Sequence, residues 1–158
     1  MKPNLAVAFA AFAFASRSDV AGAAPLGMGP GETVRAALAA IDASDRVRFV
    51  AACTTDAAIL DEISPFRFIG NDAAGRWFDR LAAVNRANAI AGEHTSIAGA
   101  PRGSVEGNDA YTIVDVRIDY FEHGRAIVEN GAWTFALKNA LGRWKIVMAA
   151  FAPQPPTR

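Results

Sequence analysis

The chain has 158 residues with 16 basic and 16 acidic side chains, so it carries no net formal charge and no basic excess for nucleic acid or anionic lipid. That length suits one domain with its own core, and an apolar content of 52% excludes disorder over most of it. The single cysteine, Cys53, excludes an internal disulfide and a cysteine-rich zinc site.

In chain order, Lys2 is followed by the uncharged run from Leu5 to Ala15, which is too short to span a bilayer and suits the core of a signal peptide. Small-x-small cleavage sites follow at Ala13-Phe14-Ala15 and Ala21-Gly22-Ala23. Residues 1–24 are therefore expected to be a signal peptide. The mature chain would be periplasmic or secreted and free of the membrane. The alternative is an alanine-rich leader on a cytosolic protein. Glycines and prolines over residues 25–31 read as a linker, and the folded domain is expected over residues 32–152, with a tail at 153–158.

From Thr33, the apolar positions Val34, Leu38 and Ile41 recur at helical spacing and predict a first helix ending near Ala43. Ser44 or Asp45 caps a second, which carries Val47, Phe49 and Val50 toward Cys53. On that helix Cys53 reads as a buried filler, with a reactive thiol as the alternative. Ala57 to Leu60 is a short strand emerging at Asp61, and Pro65 limits it. Asn71 or Asp72 then caps a third helix, with Trp77, Leu81 and Val84 on one stripe and an end near Gly92.

The rest reads as long strands. Gly99 and Pro101 interrupt Thr95 to Val105, so that strand is expected to be bulged and near an edge. Along Ala110 to Phe121, Thr112, Val114, Val116, Ile118 and Tyr120 share one face, while Asp115, Arg117 and Asp119 share the other. Two further strands, Ala126–Leu137 and Arg143–Ala152, complete a four-stranded meander. The fold class is α+β, a curved antiparallel sheet wrapped around about three N-terminal helices.

This order of elements resembles the nuclear transport factor 2-like superfamily, a cone-shaped, cystatin-like fold that includes SnoaL-type polyketide cyclases, scytalone dehydratase and the steroid delta-isomerases. The residues that carry the resemblance are the Asp42-Ala-Ser-Asp45 corner, Thr55-Asp56-Ala57, Gly70, Gly131-Ala-Trp-Thr-Phe-Ala-Leu137 and Gly142-Arg-Trp-Lys-Ile146. Asp61-Glu-Ile-Ser-Pro65-Phe, with Gly70 and Trp77, is also similar to an uncharacterised SnoaL-like subgroup. By resemblance to the steroid isomerases, Asp61, five residues after Asp56, is the position of a catalytic base that moves a proton beside a carbonyl. The family's oxyanion donors fall at Ala37 and Thr134, and a further tyrosine falls at Phe78. Ala37 and Phe78 lack a donor, and Thr134 offers a neutral hydroxyl.

Asp61 and Glu62 are adjacent, so in a strand only one can enter the cone. Asp61, in phase with Ile59, is the candidate acid or base, against the alternative of a strand-end carboxylate paired with Arg67 or capping backbone donors. Glu62 is expected to be solvated. The pocket is expected to involve Phe49, Phe66, Trp77, Phe78, Val116, Tyr120 and Thr134, with plain core filling as the alternative for each aromatic. His94 and His123 have no partners at ligand spacing, so no metal is expected, and the absence of a glycine-rich phosphate loop leaves no cofactor implied. Ser64, Ser96 and Ser104 lack a nucleophile-elbow context.

Two readings remain: a ligand-binding domain with acid-base chemistry at Asp61, or a non-catalytic binding or dimerisation module. The expected partners are a small hydrophobic molecule and a second copy of the chain through the open sheet face, with no nucleic acid.

Overall fold

The computed structural model describes residues 29–154. The expected signal peptide, most of the linker and the end of the tail lie outside these residues. Helix α1, Pro30–Asp42, starts ahead of the predicted Thr33. Pro30 occupies the first turn, where its missing N–H costs nothing, and Glu32 Oε2 accepts the Gly29 N–H at 2.8 Å. Its buried face is Thr33, Val34, Ala37, Leu38 and Ala40.

Helix α2, Arg46–Ala52, begins where Asp45 Oδ1 accepts the Arg48 N–H at 3.0 Å, and it buries only Phe49. Cys53 is not on this helix. It takes an extended conformation and opens strand β1, Cys53–Leu60, pairing with Ile146. The β-branched pair Thr54-Thr55 favours that switch. Burial pushes the Cys53 thiol up to about 12, which leaves it a protonated filler.

After β1 the chain turns through residues 61–66 into the short strand β2, Arg67–Phe68. Helix α3, Ala73–Ala87, follows. It stops well before Gly92, because Asn88 closes the last turn and Ala89 is left-handed at φ +49°.

Strands β3 (Ile90–Glu106), β4 (Asp109–Glu122), β5 (Arg125–Ala140) and β6 (Arg143–Pro153) form the predicted meander. The sheet order is β2-β1-β6-β5-β4-β3, and β1 joins β6 in parallel, so the six-stranded sheet is mixed rather than wholly antiparallel. Irregular register in β3 between Ala98 and Arg102 matches the expected break at Gly99 and Pro101, and β3 is an edge.

Helices and inner sheet face enclose one core, whose largest fully buried side chains include Trp77, Phe49, Phe135, Ile59, Leu137 and Ile146. Each such side chain contributes about 1.5–3 kcal/mol by leaving water. Asp42, at the end of α1, accepts the Thr95 N–H at 2.8 Å and its hydroxyl at 2.6 Å, tying the helical layer to the far edge of the sheet. Among the described residues no helix is long and apolar enough to cross a membrane.

Candidate functional site

A cavity of about 140 Å³ opens between α1, α3, the β1–β2 turn and the inner face of the sheet. Leu38 and Ile41 of α1, Leu81 and Val84 of α3, and Ile118 of β4 give it apolar walls. Trp77, Tyr120, Trp133 and Phe151 add aromatic surface. Trp133 lies 5.1 Å from Phe151 between ring centroids, and Trp77 meets Trp133 edge-on at 6.0 Å.

Asp61 enters the cavity from the β1–β2 turn. The turn is closed by the Asp61 N–H donating to the Phe66 carbonyl at 3.1 Å and the Phe66 N–H donating to the Ile63 carbonyl at 2.7 Å. Asp61 Oδ1 accepts the Ile63 N–H at 3.1 Å, and Oδ2 accepts the Trp77 indole N–H at 2.9 Å. Arg80 holds the same turn to α3 through the Ser64 carbonyl at 2.8 Å. Burial raises the Asp61 carboxyl above its ordinary range; the Ile63 and Trp77 donors oppose the shift and the neighbouring Glu62 charge adds to it. Its partners are the Trp77 indole and backbone donors rather than Arg67.

Three more carboxyls face the same space. Glu62 is exposed yet reaches the cavity, where it meets Glu129 of β5. Glu129 lies on the inner face, in phase with Gly131 and Trp133 and opposite Ile118 of β4. Burial, then the charge and contact of Glu62, then Asp61 and Glu93, raise its carboxyl to about 7. Glu129 Oε1 is buried and meets no hydrogen-bond donor from the chain. Glu93 of β3 accepts from Asn85 Nδ2 of α3, and burial raises its carboxyl as well, against the Asn85 bond and reinforced by the Asp42 charge. Tyr120 is likewise raised, by burial and then by the negative charge of Glu129 and its neighbours.

Of the residues expected in the pocket, Asp61, Trp77 and Tyr120 line this cavity. Phe49, Phe78 and Val116 are buried in the core instead, with Phe49 packed 4.8 Å from Trp77 and 5.6 Å from Phe78. Phe66 is 62% exposed on the β1–β2 turn. Thr134 occupies the outer sheet face, because strand alternation that turns Trp133 inward turns its neighbour outward. Glu129, Glu93 and Asn85 have no counterpart in the sequence reading. Glu129 could have been found from its two-residue phase with Trp133 and Phe135, and Glu93 from its phase with Thr95 and Ile97.

Among the described residues, no group of three or more His, Cys, Asp or Glu side chains is placed to hold a metal ion. A second, more open cleft of about 450 Å³ lies by Thr33, Arg48, Ala51, Trp144 and Lys145. Its size exceeds that of the inner cavity, but the carboxyls of raised proton affinity, Asp61, Glu93 and Glu129, are all at the inner one, and such perturbation is the better mark of chemistry.

No family model matches the sequence, and no curated protein matches it. Solved structures do. A ketosteroid isomerase-like protein from Erwinia carotovora atroseptica superposes with a TM-score of 0.64 at 15% identity, over 80% of this chain and 94% of that one. LinA superposes at 0.65 with 16% identity, over 79% and 83%. A nuclear transport factor 2-like superfamily protein from Salmonella enterica serovar Typhimurium superposes at 0.62 with 14% identity, over 80% and 89%. The chain has the cone-shaped fold of the nuclear transport factor 2-like superfamily.

Proposed function

We propose that the chain is an exported, SnoaL-like domain that binds a small hydrophobic ligand in this cavity and carries out acid-base chemistry at Asp61, of an isomerase or dehydratase/cyclase type. The observation that carries the reading is Asp61 itself, a carboxyl of raised proton affinity oriented by two N–H donors in an apolar, aromatic-walled space. A base so placed takes a proton from carbon more readily than a solvated carboxylate, and such catalysis contributes about 10²–10⁴-fold. Tyr120, and Glu129 in its protonated form, bring O–H donors to the same cavity, where the sequence resemblance left none at Ala37 or Phe78. A cavity of about 140 Å³ favours a one-ring molecule as the enclosed part of the ligand, since an engineered apolar cavity of about 150 Å³ holds benzene.

Export rests on the Lys2 and Leu5–Ala15 pattern. A mature protein beginning at Ala24 in the periplasm or medium would support it, and retention of Met1 in the cytosol would overturn it. A second copy of the chain is the proposed partner. The outer sheet face favours it, with small or apolar Ile113, Ala132, Ala136 and Ala150 beside the Arg102–Asp115 and Arg117–Asp119 pairs. Those features also favour the second reading, a non-catalytic binding or dimerisation module.

The deciding experiment is a thermal-stability screen of one-ring and larger apolar compounds against the native protein and Asp61→Asn, followed by turnover assays on the compounds that bind. Turnover lost in Asp61→Asn with binding and fold retained supports the base role. Equal turnover in both proteins rules it out.

A further inference from the structure

The charge inside the cavity is one-sided. Asp61 and Glu62 enter from the β1–β2 turn, Glu93 from β3 and Glu129 from β5, while no Arg, Lys or His is among the lining residues. The ion pairs made by Arg46, Arg48, His94, Arg102 and Arg117 involve none of these four carboxyls. The remaining polar lining is Asn85, Thr95 and Tyr120, and the Asn85 amide already donates to Glu93. Glu129 Oε1 is buried without a donor, so one acceptor position inside the cavity is left for something the chain does not supply. The carboxyls are not grouped to share a metal ion. Around them stand Trp77, Tyr120, Trp133 and Phe151, whose ring faces attract a cation held off water.

Resting on the reading of this cavity as the ligand site, we propose that its ligand is a one-ring apolar molecule bearing a protonated amine, with the ammonium among Asp61, Glu62, Glu93 and Glu129 and the ring against Trp77, Trp133 and Phe151. The ammonium donates to Glu129 Oε1 and neutralises the repulsion between Glu62 and Glu129. An anionic ligand meets only like charge, and a neutral one leaves that repulsion in place. Glu129 titrates under the influence of Glu62 and Asp61 on the β1–β2 turn and Glu93 on β3, while Asp42 acts on Glu93, and Glu129 and Glu122 act on Tyr120 of β4. The facing residues of α1 and β6, Leu38, Ile41 and Phe151, carry no charge. Amine binding releases the proton that Glu129 holds, so affinity for the cation rises with pH until that carboxyl is ionised.

Calorimetric titration of the native protein with benzylamine, benzyl alcohol and benzoate, from pH 5 to pH 8, tests this. Benzylamine is expected to bind at least about tenfold more tightly than benzyl alcohol at pH 8, and to weaken by up to about tenfold per pH unit below pH 7. Glu129→Gln should cut the preference for the amine over benzyl alcohol by about tenfold or more. Benzyl alcohol or benzoate binding as tightly as the amine would overturn the charge inference while the cavity reading stands. An unchanged preference in Glu129→Gln would do the same. Failure of all three probes to bind would remove the cavity reading together with the inference.

Discussion

The indole N–H of Trp77 donates to Asp61 Oδ2 at 2.9 Å, joining the best-buried aromatic of α3 to the candidate base. The bond fixes one oxygen of Asp61, while the Ile63 N–H fixes the other. Trp77→Phe deletes the donor and part of a ring that is 1% exposed. The expected cost is about 1–3 kcal/mol of stability, from the lost volume and the unpaired carboxylate oxygen. Urea unfolding measures it, and a cost near zero would show that the bond does not support the site.

Glu129 makes stability depend on pH in the direction opposite to an ion-paired carboxylate. Its folded carboxyl is raised to about 7 from an ordinary 4.5, so between those values the native state binds more protons than the unfolded chain. Stability from this group is therefore full below about pH 4.5, declines through pH 7 and is lowest above it. Because the group is only half-buried and solvent screens it, we expect a loss of only about 1 kcal/mol. Glu129→Gln should raise the melting temperature at pH 8 and flatten the profile between pH 5 and pH 8. An unchanged profile would place the Glu129 carboxyl in the ordinary range.

Gly131 faces inward on β5 and leaves room for a cavity wall. A Cβ there would stand 2.5 Å from Phe151 Cζ and 2.9 Å from the Ala152 carbonyl oxygen. Gly131→Ala must displace the Phe151 ring, at a cost of about 1–3 kcal/mol. Phe151 lines the cavity, so ligand affinity should fall together with stability. Unchanged affinity in a destabilised variant would separate Phe151 from ligand contact.

Ala136 lies on the outer sheet face between Tyr111 of β4 and Met148 of β6. If this face joins two copies, Ala136→Glu puts like charges against each other at the interface. Light scattering should then show a dimer for the native chain and a monomer for the variant, with the variant's fold retained. A monomeric native protein would refute the dimer.

The fold was legible because strand and helix periods mark it directly. Thr112, Val114, Val116, Ile118 and Tyr120 alternate as a half-buried strand should, and they do turn inward. Cys53 was misplaced by the apolar residues before it, which continue a helical pattern up to the β-branched pair that ends it. The candidate site was legible only in part. Asp61 follows from its phase with Ile59, but Glu93 and Glu129 sit in strands with polar neighbours, where an isolated carboxyl reads as solvated. Their phase with Thr95 and with Trp133 marks the face that they share, and the pairing of β3, β4 and β5 makes that face the cavity wall. Phe49 and Phe78 are aromatic and inward as expected, yet they pack against Trp77 in the core rather than on the cavity wall.

The three tryptophans report on the central claim, that the ligand enters the cavity bearing Asp61. Trp77 and Trp133 line that cavity, while Trp144 lines the basic cleft by Arg48 and Lys145. In an ¹⁵N-labelled sample titrated with a bound compound, the indole N–H signals of Trp77 and Trp133 should shift, with Trp77 most affected through its bond to Asp61, and Trp144 should stay. A shift of Trp144 alone would place the ligand outside the cavity and contradict the account.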